Sequence, residues 1–319
     1  MASVTVIIPN YNHAKYLKQR IESVLNQTYP NFDVILLDDC SLDNSKEIIE
    51  NYKIHPKVSS IVVNQVNSGS VFRQWKRGIE LATGDYVWIA ESDDFADHLF
   101  LERMVPHLDR DRDIGFIYCN GVVLNDVEEV ITTFADLRNE SHHNAKWSDS
   151  YVNEGLREIQ ENLMMGCTVN NASGVLFRRS ALLDVKPFDR ELKYVGDWYC
   201  YLKLCSKYKM GYVNEQLNFY REHQNNASRN LKKNLQFVSE YFQIFDWASK
   251  NLPSLTKKEL RTYFSWYTSH SLIFGFRHNW RVYKKLARQN ASLFSFMMTH
   301  NLKKHKQSIF NRIKSSVTA

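Results

Sequence analysis

Tyr86-Val87-Trp88-Ile89-Ala90-Glu91-Ser92-Asp93-Asp94 is the stretch that decides the fold. Val87 and Ile89 alternate with Tyr86 and Trp88 in a β-rich run, so it reads as a buried strand. The C-terminal end of that strand carries three carboxylates within four residues. Like charges set so close repel one another unless a cation sits among them, and a hard divalent ion with oxygen ligands fits best. Ligands of open α/β sheets gather where the strands end, so the stretch points to a metal at a sheet edge, gripping a phosphate.

Working outward, the first half of the chain alternates strand and helix signals. Val4-Thr5-Val6-Ile7-Ile8 is an apolar run ended by Pro9-Asn10-Tyr11-Asn12. Ala14, Leu17, Ile21, Val24 and Leu25 then recur at helical spacing, with Asn12 as the expected N-cap. A second strand, Asp33-Val34-Ile35-Leu36-Leu37, runs into Asp38-Asp39-Cys40-Ser41, and a helix follows from about Asn44 to Tyr52. Ser60-Ile61-Val62-Val63 makes a third strand. The loop through Gly69 opens a helix with Phe72, Trp75, Ile79 and Ala82 on one face. This repetition predicts a doubly wound, largely parallel α/β sheet with two acidic strand ends side by side. Ile114–Leu124 and Gly174–Phe177 read as further strands, Asp126–Asn153 as a long loop, and the chain beyond about Leu231 as helical and aromatic.

The two acidic clusters allow chemical and structural readings. Acids after strands serve as turn formers and caps. Alternatively, one carboxylate of Asp38-Asp39 accepts the N3–H of a uracil, with Pro9, Asn10 and Tyr11 flanking the base or ribose. Glu91, Asp93 and Asp94 would then hold a nucleotide diphosphate through a metal. Asp197 stands among Tyr194, Trp198, Tyr199 and Tyr201, either as a helix cap or as a desolvated base. Arg221, His223 and Ser228 sit in a polar run that is either solvated or closes over a diphosphate.

Composition bounds the rest. The chain has 319 residues, 44% hydrophobic and 24% charged, enough for a large α/β domain and an appendage. No apolar run approaches the roughly 20 residues of a membrane span, and Met1–Val4 shows no secretory pattern. The five cysteines show no CxxC spacing and read as reduced thiols of a cytoplasmic protein. The formal charge of +6 is uneven, since residues 251–319 carry 13 Lys and Arg against the single acid Glu259. Arg277, Arg281, Lys284, Lys285 and Arg288 recur at three- and four-residue spacing beside Trp280, Tyr283 and Leu286. Two readings stay open there: a helix on an anionic membrane surface, or one packed on the catalytic body. No nucleic-acid recognition motif accompanies the charge.

Taken together, these residues resemble the family 2 glycosyltransferases. The match runs through Pro9–Asn12, Val24–Tyr29, Leu37–Asp43, Ala82–Tyr86 and Ser92–Asp94. It continues more sparsely through Ser173–Arg179, Gly196–Trp198 and Tyr220–His223. The resemblance implies the glycosyltransferase-A fold, a Rossmann-like, mostly parallel sheet flanked by helices, with a helical C-terminal extension. It implies a catalytic domain over 1–230, with a nucleotide-binding half (1–110) and an acceptor-binding half (111–230), followed by a basic helical region over 231–319. The implied activity is inverting transfer from a nucleotide-diphosphate sugar, expected to be a UDP-sugar, to a saccharide or lipid-linked acceptor in cell-surface polysaccharide synthesis. Asp197 would be the catalytic base, and Asp94, Asp93 and His223 would hold Mn²⁺ or Mg²⁺. Pro9, Asn10, Tyr11, Asp39, Gly69, Lys76, Ser92, Asp93, Arg221 and Ser228 would contact the donor. The chain departs from the family pattern at Trp75-Lys76, where Arg-Asn is common, at Gly196, which leaves Asp197 a single carboxylate, and at Glu91. The expected location is cytoplasmic, peripheral on the inner face of the plasma membrane. Two alternatives stand beside this reading: a catalytically silent scaffold docking on membranes through its tail, and a sugar-nucleotide pyrophosphorylase. The second is set aside because Pro9–Asn12 has no glycine and no basic run.

Overall fold

The computed structural model describes residues 1–223, 236–256, 259–260, 288, 290, 291, 294 and 295. Ser228 and most of the predicted basic helix lie outside the described residues. The chain divides into two compact units, Met1–Ile159 with Cys167–Asn225, and Gln160–Gly166 with Asn226–Ala319.

The first unit is built on a ten-stranded sheet. Strands β1 (Val4–Asn10), β2 (Phe32–Asp38), β3 (Val58–Val63) and β4 (Tyr86–Ile89) form its parallel half in the order β3-β2-β1-β4. Helices α1 (Ala14–Leu25), α2 (Ser45–Glu50) and α3 (Val71–Leu81) make the crossovers. β1 and β4 are buried along their whole length, as expected of a sheet covered on both faces. Beyond β4 the sheet becomes mixed. β5 (Phe95–Ala96) and α4 (Phe100–Arg110) lead into β6 (Ile114–Leu124). β9 (Val175–Arg178) lies antiparallel between β4 and β6, and β10 (Lys209–Arg221) runs parallel to β6.

This topology places the candidate site. Because β9 reverses between β4 and β6, strands β1, β2, β3, β4, β6 and β10 all point the same way and end at one edge. β9 begins at that edge, so the segment before it, Asn171–Gly174, meets the end of β4. After α7 (Arg179–Val185) the chain returns to the edge, and α8 (Gly196–Cys205) starts there and runs down to the beginning of β10.

Two expectations are corrected. Asp126–Asn153 is not a long loop: it holds β7 (Val130–Thr133), α5 (Phe134–His142) and β8 (Tyr151–Asn153). Thr133 caps α5 by accepting from Asp136 N–H, His143 closes it in the left-handed conformation, and Phe134 and Trp147 are buried. Asn12 does not cap α1. It takes a left-handed φ of 56° and accepts from Leu42 N–H, while Asp43 accepts from Ala14 N–H in its place. α6 (Gly155–Glu158) completes the first unit. In the second, α9 (Gln236–Asn251) has Phe242, Ile244, Phe245 and Ala248 buried, and Asn290 donates to Asp246.

Candidate active site

The end of β2 is surrounded by neutral donors. Asp38 is fully buried and acts as a strut, with one oxygen accepting from Asn10 Nδ2 at 2.9 Å and the other from Ser41 N–H at 2.9 Å. Asp39 faces the other way. Its Oδ1 accepts from Asn64 Nδ2 (2.7 Å), Ser68 N–H (2.8 Å) and Gln74 Nε2 (2.8 Å), and its Oδ2 accepts from Ser68 Oγ (2.7 Å). Cys40 follows with a φ of 64°, a costly conformation for a non-glycine residue that re-aims the chain at the strand end. Gly69, at φ 71°, supplies the turn on the opposite side. Tyr11 is exposed there, whereas Pro9 and Asn10 are buried in β1 and support the loop from behind.

The end of β4 is built from charge. Asp94 is 2% exposed, and its oxygens accept from Asn171 Nδ2 (2.9 Å), Ser173 Oγ (2.6 Å) and Arg221 N–H (3.1 Å). Asp94 therefore ties β4 to β9 and β10, and the carboxylate beside the histidines is Asp93. Asp93 Oδ2 lies 3.1 Å from His223 Nε2, at the end of β10. His13, Asp93 and His223 place three ligand atoms within 4.8 Å of one another. Burial pushes Asp94 up to about 6, helped by the charge of Asp93. Burial opposes ionisation of Asp93 too, but its hydrogen bond to His223 and the nearby His13 hold it below the ordinary carboxylate value. Glu91 is pushed up to about 8, by burial first and Asp93 second.

Three residues expected to contact the donor are placed as follows. Arg221 is the last residue of β10 rather than part of an open loop. Its guanidinium is buried, donating to Asp93 O (2.5 Å), Gln19 Oε1 (2.8 Å) and Glu128 Oε1 (2.7 Å) over the Tyr16 ring. Ser92 is 1% exposed, and its hydroxyl is spent on His13 Nδ1 at 2.8 Å. Lys76 lies on the exposed side of α3, while its neighbours Gln74 and Trp75 face the site.

α3 joins the parts. Gln74 donates to Asp39, and Trp75 Nε1–H donates to Glu91 Oε1 at 2.5 Å, so adjacent residues of one helix brace both acidic strand ends. Phe72 packs on Gly196, where an added Cβ would lie 2.6 Å from the ring. The next residue, Asp197, is in the first turn of α8 and accepts from Trp198 N–H at 2.7 Å. Burial pushes its carboxyl up to about 6, although hydrogen bonds to backbone N–H groups pull the other way.

Sequence reasoning missed His13 and Arg20. Arg20 is fully buried, its Nε donating to Glu91 O at 2.8 Å and one terminal nitrogen 3.9 Å from Asp94. Its signal was a charged residue on the apolar face of α1, between Leu17 and Ile21/Val24. His13 follows Asn12 in the loop after β1, and only the fold brings it to Ser92.

With this geometry in view, a family model, Glycosyl transferase family 2, matches residues 5–183, more than half of the chain. The chain belongs to that family. Glycosyltransferase GlyG of Streptococcus pneumoniae serotype 4 is 36% identical over 118 residues, 36% of this chain and 39% of GlyG. An uncharacterized glycosyltransferase of Rickettsia typhi, RT0329, is 28% identical over 262 residues, 81% of this chain and 74% of its own. The match spans about two-fifths of the length of relatives such as GlyG. Among solved structures, Staphylococcus aureus TarS 1-349 in complex with UDP-GlcNAc aligns with a TM-score of 0.63 at 18% identity, over 86% of this chain and 75% of that one. The mannosyltransferase PcManGT from Pyrobaculum calidifontis, in complex with GDP-Man and Mn2+, aligns with a TM-score of 0.57 at 16% identity, over 95% and 86%. These likenesses establish the glycosyltransferase-A fold. Among the described residues, no helix is long and apolar enough to cross a membrane.

Proposed function

We propose that this chain is an inverting glycosyltransferase that takes a UDP-sugar and transfers the sugar to a hydroxyl of a saccharide or lipid-linked acceptor in cell-surface polysaccharide synthesis. The observation that carries the reading is the braced edge itself. One helix, α3, braces Asp39 through Gln74 and Glu91 through Trp75 and packs Phe72 on the start of α8, at the same end of the sheet where His13, Asp93 and His223 cluster. UDP-GlcNAc and UDP complexes of TarS support the donor class, and the names of the polysaccharide-building relatives support the pathway.

In this reading Asp39 accepts the uracil N3–H through a lone pair of Oδ2, which takes one hydrogen bond where Oδ1 takes three. Tyr11, exposed at the strand end, covers the base. Asp93 and His223 are the residues that would hold a divalent cation, and their ligand atoms are close enough to share one. Such a cation offsets charge on the departing diphosphate. Asp197, with its carboxyl pushed up to about 6, is ionised at neutral pH yet basic enough to take the acceptor hydroxyl's proton. That oxygen attacks the anomeric carbon opposite the leaving diphosphate, which inverts the configuration.

Calorimetric titration of UDP, GDP and CMP, with Mn²⁺ and with chelator, tests the reading. Tight binding of UDP alone, lost with chelator, is expected. Failure to bind any nucleotide would overturn it in favour of a silent scaffold.

A further inference from the structure

We propose that His13 is a third protein ligand to the cation at this site, and that it makes the site selective for first-row transition ions over Mg²⁺. The inference rests on the transferase reading only for the role of the ion, since the ligand group stands on geometry alone.

Three observations carry it. First, the ligand atoms of His13, Asp93 and His223 all lie within 4.8 Å of one another. Protein ligands at roughly 2.0–2.2 Å from one ion are about 3 Å apart when adjacent and about 4.3 Å apart when opposite, so the three groups lie close to the spacing of a shared ion and reach it with side-chain shifts of a few tenths of an ångström. Second, each imidazole is already held. Ser92 Oγ holds His13 Nδ1 at 2.8 Å, so the proposal assigns the ligand role to the other ring nitrogen, Nε2. This is the outer hydrogen bond that ligating histidines need. The two imidazoles meet edge-on with ring centres 5.8 Å apart, and Tyr16 packs against His223 at 5.2 Å. Third, the ligand next in line is unsuited. Asp94 is spent on Asn171, Ser173 and the Arg221 backbone, so the protein offers one carboxylate and two imidazoles rather than a carboxylate pair.

That donor set decides the preference. Carboxylate and water suit Mg²⁺, which holds on to its waters, whereas imidazole suits the later first-row ions, with affinity rising from Mn²⁺ through Co²⁺ to Ni²⁺. One carboxylate also leaves a divalent ion with net positive charge and open positions, as an anionic diphosphate requires. Ser92 gains a function by the same argument: it orients His13 and does not touch the donor.

The test is calorimetric titration of the full chain, free of metal and nucleotide, with Co²⁺ and with Mg²⁺, alongside the visible spectrum of the Co²⁺ form. His13→Ala and His13→Gln are compared with the parent, and circular dichroism checks their fold. The parent is expected to prefer Co²⁺, and both variants to lose on the order of 100-fold of the Co²⁺-to-Mg²⁺ affinity ratio, with a changed Co²⁺ spectrum. A purely structural His13 would weaken both ions alike. An unchanged ratio and spectrum in the folded variants, or equal parent affinity for Co²⁺ and Mg²⁺, would overturn the proposal. UDP titration in saturating Mg²⁺ separates the two readings. A chain that binds UDP without a His13-dependent preference loses this inference alone, and one that binds Co²⁺ through His13 but no nucleotide loses the transferase reading alone.

Discussion

The two acidic strand ends look alike in sequence and are built on opposite principles. After β2, Asp38 is a buried strut and Asp39 is the proposed reader, and every side chain donating to Asp39 is a neutral amide or hydroxyl. After β4 the order reverses: Asp93 lies beside His223, at the proposed cation site, and Asp94 is the strut, surrounded by Glu91, Arg20 and Arg221. A carboxylate meant to accept one N–H from a neutral base needs only to be held still, and dipoles do that. A carboxylate meant for a metal must be held beside others of its sign, so the chain buries two arginines there and leaves Glu91 shifted to about 8.

The largest expected effect falls outside both pairs. Asp197→Asn should lower turnover on the order of 10³-fold, within the range lost with a general base, and leave UDP affinity within about twofold. The same assignment predicts a pH limb. Activity needs the carboxylate, so the rate per unit substrate should fall as pH drops through about 6. Near-normal turnover in Asp197→Asn would end the assignment. The contrast between strut and reader comes next. Asp94→Ala strands Ser173, Asn171 and the Arg221 N–H in a buried place, so it should cost roughly 3 kcal/mol of stability in urea unfolding. Asp93→Asn, at a more open position, should cost stability little and metal affinity on the order of 100-fold, read by calorimetry. If the two variants traded places, the roles drawn from the geometry would be reversed.

How much of this was legible beforehand follows from the range of each signal. β1 to β4 were readable because each is a short apolar run punctuated by its own turn residues, and the acids that end β2 and β4 are local. The pairing of Asp93 with His223 joins residues 130 apart, brought together where β5 runs antiparallel to β10, a register that no window of sequence contains. The exchange of roles between Asp93 and Asp94 was invisible for the same reason, since Asn171 and Ser173 reach Asp94 only because β9 runs backwards between β4 and β6. The segment from Asp126 to Asn153 misled because its polarity is that of a loop: of its buried residues, Phe134, Ala135, Arg138 and Trp147, one is charged, and the two large apolar ones are too far apart to show a period.

The smallest expected effect probes the charge built up behind β4. Glu91 has its carboxyl raised from 4.5 to about 8, so the folded protein holds a proton there that the unfolded chain has released at neutral pH. The sign follows: this contribution to stability is fully present below about 4.5 and is lost as pH rises through about 8. Glu91→Gln keeps an oxygen for the Trp75 Nε1–H and removes the charge that burial penalises. Relative to the parent, the variant should therefore be unchanged near pH 4.5 and gain on the order of 1–2 kcal/mol by pH 8, a figure reduced for partial exposure of the site. Urea unfolding of both proteins in chelator at pH 5, 6.5 and 8 reads the difference directly. Asp197 titrates alike in both proteins, so its contribution cancels, whereas the repulsion between Glu91 and Asp94 is part of what the substitution removes. Parallel stability curves would mean that Glu91 is already ionised at neutral pH in the folded protein, and that Arg20 and Arg221 fully compensate three carboxylates rather than two.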